Sequence, residues 1–126
     1  MSGFKFDPSR NGFRKVLSDW EELALRCVWS TGGEGAVSKA VWEAVNERRG
    51  WDRPISRASI IVALNRLVGW GVLGYREATG KGGYHRIYYT LMDEKGFLSY
   101  LLETMVKSMR RDFPEETRQV LDEYLY

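Results

Sequence analysis

Apolar residues recur with helical spacing over the first seventy residues of the chain. Ser18 and Glu21 form a capping box, so a first helix is predicted to begin at Asp19. Further helices are predicted from Ser38 to Gly50 and from Ser56 to about Gly69, each with a serine that can cap its start. The stripes expected to form the core are Trp20, Leu23, Ala24, Cys27 and Val28; Val41, Ala44 and Val45 beside Trp42; and Ile60, Ile61, Leu64, Leu67 and Val68.

The period then changes from about 3.6 to two. Residues 72–78 and 84–91 are rich in β-branched and aromatic side chains, and they flank a flexible, basic, glycine-rich segment at 79–83. This pattern predicts a β-hairpin with a mobile tip. Asp93 can cap a long helix reaching about Asp112, and residues 115–125 predict a final short helix.

Three helices followed by a hairpin indicate a mostly α (α+β) fold, a winged helix-turn-helix with a two-stranded wing and C-terminal dimerisation helices. With 126 residues the chain suits one domain with an extension. We divide it into an irregular basic arm at 1–17, a winged-helix DNA-binding domain at 18–91 and a helical dimerisation extension at 92–126.

The charge is distributed unevenly between these parts. Residues 1–90 carry 14 Lys/Arg and 9 Asp/Glu, a net charge of +5, whereas residues 91–126 carry 5 and 8, a net charge of −3. A basic head with an acidic extension suits contact between the head and a polyanion.

Several classes of function are not expected from this composition. No apolar run is long enough for a membrane span or a secretory signal, and one cysteine, Cys27, forms no internal disulfide, so a cytoplasmic protein is expected. His85 is the single histidine, and the carboxylates are scattered over helix surfaces, so we expect no metal site, no cofactor and no enzyme.

The third helix and the wing contain the candidate DNA contacts. Small residues on an outward helix face let its backbone approach the major groove, where Ser and Asn can hydrogen-bond to base edges. A basic wing tip can contact phosphates, and the basic arm is expected to do the same. The candidates on helix three are Ser56, Arg57, Ala58, Ser59, Val62, Asn65 and Arg66; those in the wing are Arg76, Lys81, Gly82, His85 and Arg86.

Several short segments resemble the penicillinase-repressor and methicillin-resistance-repressor family, which shares its layout with multiple-antibiotic-resistance-type regulators. They are Leu17-Ser18-Asp19-Trp20-Glu21, Val28-Trp29, Ser56-Arg57-Ala58-Ser59-Ile60, Leu64-Asn65-Arg66-Leu67 and Gly71-Val72-Leu73, within residues 17–112. The resemblance implies a dimeric repressor that contacts DNA through Ser56, Ser59, Val62 and the region around Lys81.

The chain also departs from that family. Ala58 and Val62 stand where the family often has Lys and Thr, so the operator sequence is not carried over. The arm and the longer glycine-rich wing are further differences. Sensing members of the family are cleaved at an Asn-Phe bond, and this chain contains no Asn-Phe pair, so induction by proteolysis is not expected.

The long C-terminal helix presents an apolar face that suits a second copy of the chain, although it could instead fold back on its own domain. That face comprises Phe97, Leu98, Leu101, Leu102, Met105, Val106 and Met109. The prediction is a homodimeric repressor of a palindromic operator in double-stranded DNA.

Three alternatives stay open. The chain could be a winged-helix protein-interaction module of the transcription machinery, with little DNA specificity. It could bind single strands or RNA through exposed wing aromatics such as Tyr75, Tyr84 and Tyr88. A small-molecule effector could also bind among the tryptophans, although core packing explains most of them.

Overall fold

Helices and a small sheet make up the part of the chain that the computed structural model describes, residues 3–80 and 82–124. The elements are a 3-10 helix Gly12–Lys15, α1 Asp19–Ser30, β1 Ala36–Val37, α2 Ser38–Arg49, α3 Arg57–Gly69, β2 Leu73–Gly80, β3 Gly83–Thr90, α4 Glu94–Asp112 and α5 Pro114–Tyr124. Within these residues the fold is mixed α+β, with five α-helices and a three-stranded antiparallel sheet. It forms two compact units, of which the first ends at Asp93 and the second begins at Glu94.

The sheet contains one strand more than the predicted hairpin. β2 and β3 pair from Leu73 opposite Thr90 to Gly80 opposite Gly83. These two strands form the predicted hairpin; β1 lies on the other side of β3, so the strand order is β1-β3-β2 and the sheet contains a third strand that the sequence pattern did not predict. Two residues are too short to show an alternating pattern, and their strand conformation depends on pairing with β3.

Gly35 permits this pairing. Its φ of +78° lies in the left-handed region, and a Cβ added there would overlap the carbonyl oxygen of Tyr88. The close approach of the two backbones at β1 therefore depends on the missing side chain.

Two of the three predicted serine caps are present. The Ser18 amide donates to Glu21 Oε1 (2.8 Å) and the Glu21 amide donates to Ser18 Oγ, which completes the capping box of α1. The Ser59 amide donates to Ser56 Oγ (3.1 Å) at the start of α3. The prediction for Ser38 was wrong: Ser38 is the first residue of α2, and the cap residue is Val37, whose backbone pairs with Ile87 in the sheet.

The core of the first unit lies between α1, α2, α3 and the base of the hairpin. The face that α1 buries is rotated from the predicted stripe. Leu25 is fully buried and Glu21 is 9% exposed, whereas Leu23 and Cys27, which the stripe includes, are only half-buried. The buried apolar side chains of this unit include Leu17, Ala24, Leu25, Val28, Val41, Val45, Ile60, Ala63, Leu64, Leu67, Val72 and Leu73. Burial of Glu21 escaped prediction because a stripe of apolar residues gives no sign of a paired carboxylate.

A buried asparagine holds the segment between α2 and α3. Asn46 is fully buried, and its Nδ2 donates to the carbonyl oxygens of Trp42 (3.0 Å) and Ile55 (3.1 Å). The Ile55 amide donates to Asn46 Oδ1 (2.7 Å), and Trp42 Nε1 donates to the Ile55 carbonyl oxygen (2.8 Å). Ile55 directly precedes the Ser56 cap, so this network fixes the start of α3.

Candidate nucleic-acid interface

The outward face of α3 is exposed and built mainly from small side chains. Val62 is 67% exposed, and Ser56, Arg57, Ala58 and Asn65 are also exposed. At 100° per residue, Ala58, Val62 and Asn65 lie within about 60° of one another on the helix. We call these three residues the reading face.

The two serines at the start of α3 bond to each other. Ser56 Oγ accepts from the Ser59 amide and donates to Ser59 Oγ (2.9 Å). The capping role therefore occupies much of the hydrogen-bonding capacity of Ser56. Ser59 is half-buried and keeps its own hydroxyl hydrogen as a donor.

The two arginines of α3 lie in different environments. Arg57 is exposed, and its guanidinium reaches Ser38 Oγ at a long 3.4 Å. Arg66 Nη1 donates to Glu21 Oε2 (3.1 Å), and its guanidinium lies 5.1 Å from the ring centroid of Trp70. Arg66 therefore joins α3 to α1 and flanks the reading face on that side.

An open groove lies between the start of α1 and the reading face. It encloses about 440 Å³ and is lined by Ser18, Trp20, Ala58, Ser59, Val62 and Arg66, among others. The predicted candidates on α3 thus lie beside one concave surface.

The hairpin divides the predicted wing cations between its two faces. Arg86 lies opposite Glu77, on the same face as the Tyr75–Tyr88 pair. Arg76 and His85 lie on the other face, where Arg76 Nη2 donates to the carbonyl oxygen of Glu34 (2.7 Å). Gly82 is exposed at the tip, whereas Lys81 lies outside the described residues.

One hydrogen-bonded cluster connects α3 to β3. Asn65 Oδ1 accepts from Arg86 Nη1 (3.1 Å) and from Tyr88 OH (2.8 Å). The Arg86 guanidinium lies 4.0 Å from the centroid of the Tyr75 ring, so the cation is stacked as well as hydrogen-bonded. Sequence reasoning found Asn65 and Arg86 as separate candidates but missed their connection, which depends on how α3 packs against the sheet.

The aromatic residues of the hairpin differ in exposure. Tyr84 is 64% exposed and Tyr75 is 37% exposed, but Tyr88 is 2% exposed. The expectation that Tyr88 is an exposed aromatic was therefore wrong. Burial raises the pKa of the Tyr88 phenol, which stays protonated at neutral pH and serves as a donor.

The N-terminal arm folds against the first unit. Phe4 packs edge-on against Trp70 with a centroid separation of 6.1 Å, and Phe13 packs against Trp29 at 6.0 Å. The Asp7 amide donates to the Lys15 carbonyl oxygen (2.8 Å). The arm thus has more structure than the predicted irregular segment.

The cations of the arm border a second groove, of about 410 Å³, which Arg66 also lines. Lys15 is occupied within the arm, where its Nζ donates to the carbonyl oxygens of Pro8 and Arg10. Lys5, Arg10 and Arg14 are exposed along the same groove. Positive charge is therefore present on the α1 side of the reading face as well as on the hairpin side.

The second unit contains the predicted dimer residues. Phe97 is fully buried and Leu101 is 4% exposed in the single chain, so neither offers surface to a partner. Leu98, Leu102 and Met109 are each about half exposed. An open apolar groove of about 360 Å³ lies between α4 and α5, lined by Met105, Val106, Met109, Phe113, Val120 and Leu121, with Glu116 and Thr117 at its edge.

In residues 3–80 and 82–124, no three His, Cys, Asp or Glu side chains form a group that could hold a metal ion. No helix in the same residues combines the length and apolar character of a bilayer span. Cys27 is half-buried, and burial raises the pKa of its thiol.

No protein-family model matches this chain, and no protein of curated function matches its sequence.

Proposed function

We propose that this chain is a sequence-specific repressor that binds a short, roughly palindromic operator in double-stranded DNA as a homodimer. In this proposal the fold acts as a winged helix-turn-helix, with α3 in the major groove and the β2–β3 hairpin as the wing. The observation that carries the proposal is the exposed reading face of α3, flanked by cations on both sides. Ala58 and Val62 would let the helix approach closely, and Val62 can contact a thymine methyl group.

The positions of the cations support contacts with phosphates. Arg86 lies on the hairpin side of the reading face, and Lys5, Arg10 and Arg14 line the groove on the α1 side. The net charge of +5 on residues 1–90 favours a polyanion as the partner. Phosphate contacts from both sides would fix the register in which α3 meets the bases.

The second unit supports a homodimer. Leu98, Leu102, Met109, Val120 and Leu121 are between 41% and 55% exposed, which is a large apolar surface for two helices. The end of α4 carries Arg110 and Arg111, and the start of α5 carries Glu115 and Glu116. In a two-fold dimer, the acidic residues of one copy can therefore lie opposite the cations of the other. The two copies of α3 would then suit half-sites about one helical turn of DNA, roughly 34 Å, apart.

Gel shifts on a random duplex and on a duplex selected from a random library test DNA binding. The logarithm of affinity should fall with the logarithm of salt concentration, by about 0.9 for each phosphate neutralised. A chain that shifts no duplex at low salt would contradict the proposal and favour a protein-interaction module. Preferential competition by single strands would favour the exposed aromatics Tyr75 and Tyr84 instead.

Substitutions separate the two kinds of contact. Arg57→Ala or Arg66→Ala should reduce discrimination between operator and random duplex, by about 1–3 kcal/mol for a lost base contact. Lys81→Ala should weaken binding to both duplexes about equally. Arg118→Ala on α5 removes the same charge from the second unit and should change neither, and equal losses on both duplexes for all three head variants would contradict the assignment.

The homodimer is tested by sedimentation of Met109→Glu and Val120→Glu proteins. Each places a carboxylate in the apolar groove, which should shift the chain from dimer to monomer. Gln119→Glu adds the same charge at an exposed position of α5 and serves as the control. A wild-type protein that sediments as a monomer at all concentrations would contradict this part of the proposal.

A further inference from the structure

The Asn65 side chain has a defined direction on the reading face. Asn65 is exposed, yet its Oδ1 accepts two hydrogen bonds, from Arg86 Nη1 at 3.1 Å and from Tyr88 OH at 2.8 Å. In the described part of the chain, no group accepts a hydrogen bond from its Nδ2. The oxygen of the amide is thus held toward the hairpin, and its NH₂ group is available to a ligand.

The chemistry of the partners excludes the flipped amide. A guanidinium has donors and no acceptor, so the atom that meets Arg86 must be the oxygen of Asn65. The Tyr88 phenol is buried and protonated, so it can donate to the same oxygen. Both acceptor directions of Oδ1 are therefore used.

The hairpin also restrains Arg86. Its guanidinium stacks on the Tyr75 ring at 4.0 Å, and Glu77 lies directly opposite it on β2. A cation fixed by stacking loses little further freedom in its bond to Asn65. The hairpin consequently sets the direction of a side chain on α3.

This direction limits the bases that Asn65 can recognise. A free asparagine pairs with adenine through two bonds, its oxygen accepting from N6 and its nitrogen donating to N7. When the oxygen is occupied, only the donor is left. Guanine presents two adjacent acceptors, N7 and O6, whereas adenine places its N6 amino donor beside the acceptor N7 and cytosine presents only its N4 amino donor.

We propose that Asn65 reads the operator as a hydrogen-bond donor only, and that it selects guanine over adenine and cytosine at the base it faces. This inference rests on the proposed DNA binding through α3. It identifies Asn65 as a specificity-determining residue, with Arg86 and Tyr88 as the residues that position it.

Asn65→Asp is the sharpest test, because it nearly preserves shape and keeps oxygens for Arg86 and Tyr88 while removing the donor. Duplexes bound from a random library would be sequenced for the wild-type and variant proteins. The wild type should enrich guanine at one position of each half-site, by about tenfold over adenine. The Asn65→Asp protein should lose that preference and enrich cytosine, whose N4 amino group can donate to a carboxylate. Gln119→Glu makes the same chemical change on α5 and should leave the selected sequence unchanged.

A second variant tests the role of the hairpin. Arg86→Met combined with Tyr88→Phe removes both donors and keeps the stacked and buried side chains similar in size. The amide is then free to present its oxygen, so adenine should be enriched at the same position. Base preference is read from the selected sequences, and it is therefore independent of the lower affinity that loss of Arg86 should cause.

The outcomes separate this inference from the proposed function. Two results would overturn the inference and leave the proposed function standing. In the first, the wild type binds duplex DNA but selects adenine at this position. In the second, the wild type and the Asn65→Asp protein select the same base. Failure of the wild type to bind any duplex at low salt would overturn both.

Discussion

Replacement of Asn46 by alanine should destabilise the protein more than any surface substitution on α2. Asn46 is fully buried and makes three hydrogen bonds, two of them to Ile55 and one to the Trp42 carbonyl oxygen. The Ile55 carbonyl keeps its bond from Trp42 Nε1, but the Ile55 amide loses its partner. The variant therefore loses bonds and also leaves a donor unsatisfied at the entrance to α3.

The magnitude follows from this count. Each net hydrogen bond contributes about 1 kcal/mol, and a buried unsatisfied donor costs about 1–3 kcal/mol. Since the carbonyl groups keep other partners, we expect the free energy of unfolding to fall by about 2–4 kcal/mol. That is a large part of the about 5–15 kcal/mol that stabilises a typical domain.

Urea unfolding followed by circular dichroism measures this loss. With a slope of about 1.5 kcal/mol per molar urea, the midpoint should fall by about 1.3–2.7 M. Glu47→Ala, at an exposed position of the same helix, should change the free energy of unfolding by less than about 0.5 kcal/mol. An Asn46→Ala protein as stable as the Glu47→Ala protein would refute the view that this network holds the start of α3.

Two further predictions concern other parts of the first unit. The Arg49 side chain donates to Asp19 (2.8 Å), and this hydrogen bond lowers the pKa of Asp19 below 3.8. The bond therefore stabilises the protein fully above about pH 4, and this stabilisation is lost as the pH falls through the lowered pKa. The difference in unfolding free energy between the wild type and the Asp19→Asn protein should therefore decrease as the pH is lowered. A difference that is unchanged at pH 2 would contradict this prediction. Gly35→Ala should lower stability by about 1–3 kcal/mol, because an added Cβ overlaps the Tyr88 carbonyl oxygen at a positive φ; an unchanged thermal midpoint would show that β1 does not need the glycine.

The local elements of this protein follow from its sequence. The capping box at Ser18, the cap at Ser56 and the alternation in residues 84–91 each act over a few neighbouring residues, so they are readable without a structure. Pro114 begins α5 one residue earlier than predicted, which is also a local effect because proline suits the first position of a helix.

The tertiary structure decided the features that join distant parts of the chain. Strand β1 exists through pairing with β3, and burial of Glu21 depends on Arg66, 45 positions away. The direction of the Asn65 amide likewise depends on side chains of β3. Hydrophobic periodicity records which side of an element faces inward, but it carries no information about which polar groups meet across elements. Hydrogen bonds and ion pairs have short ranges and strict directions, so they become determined only when packing brings their partners within about 3 Å.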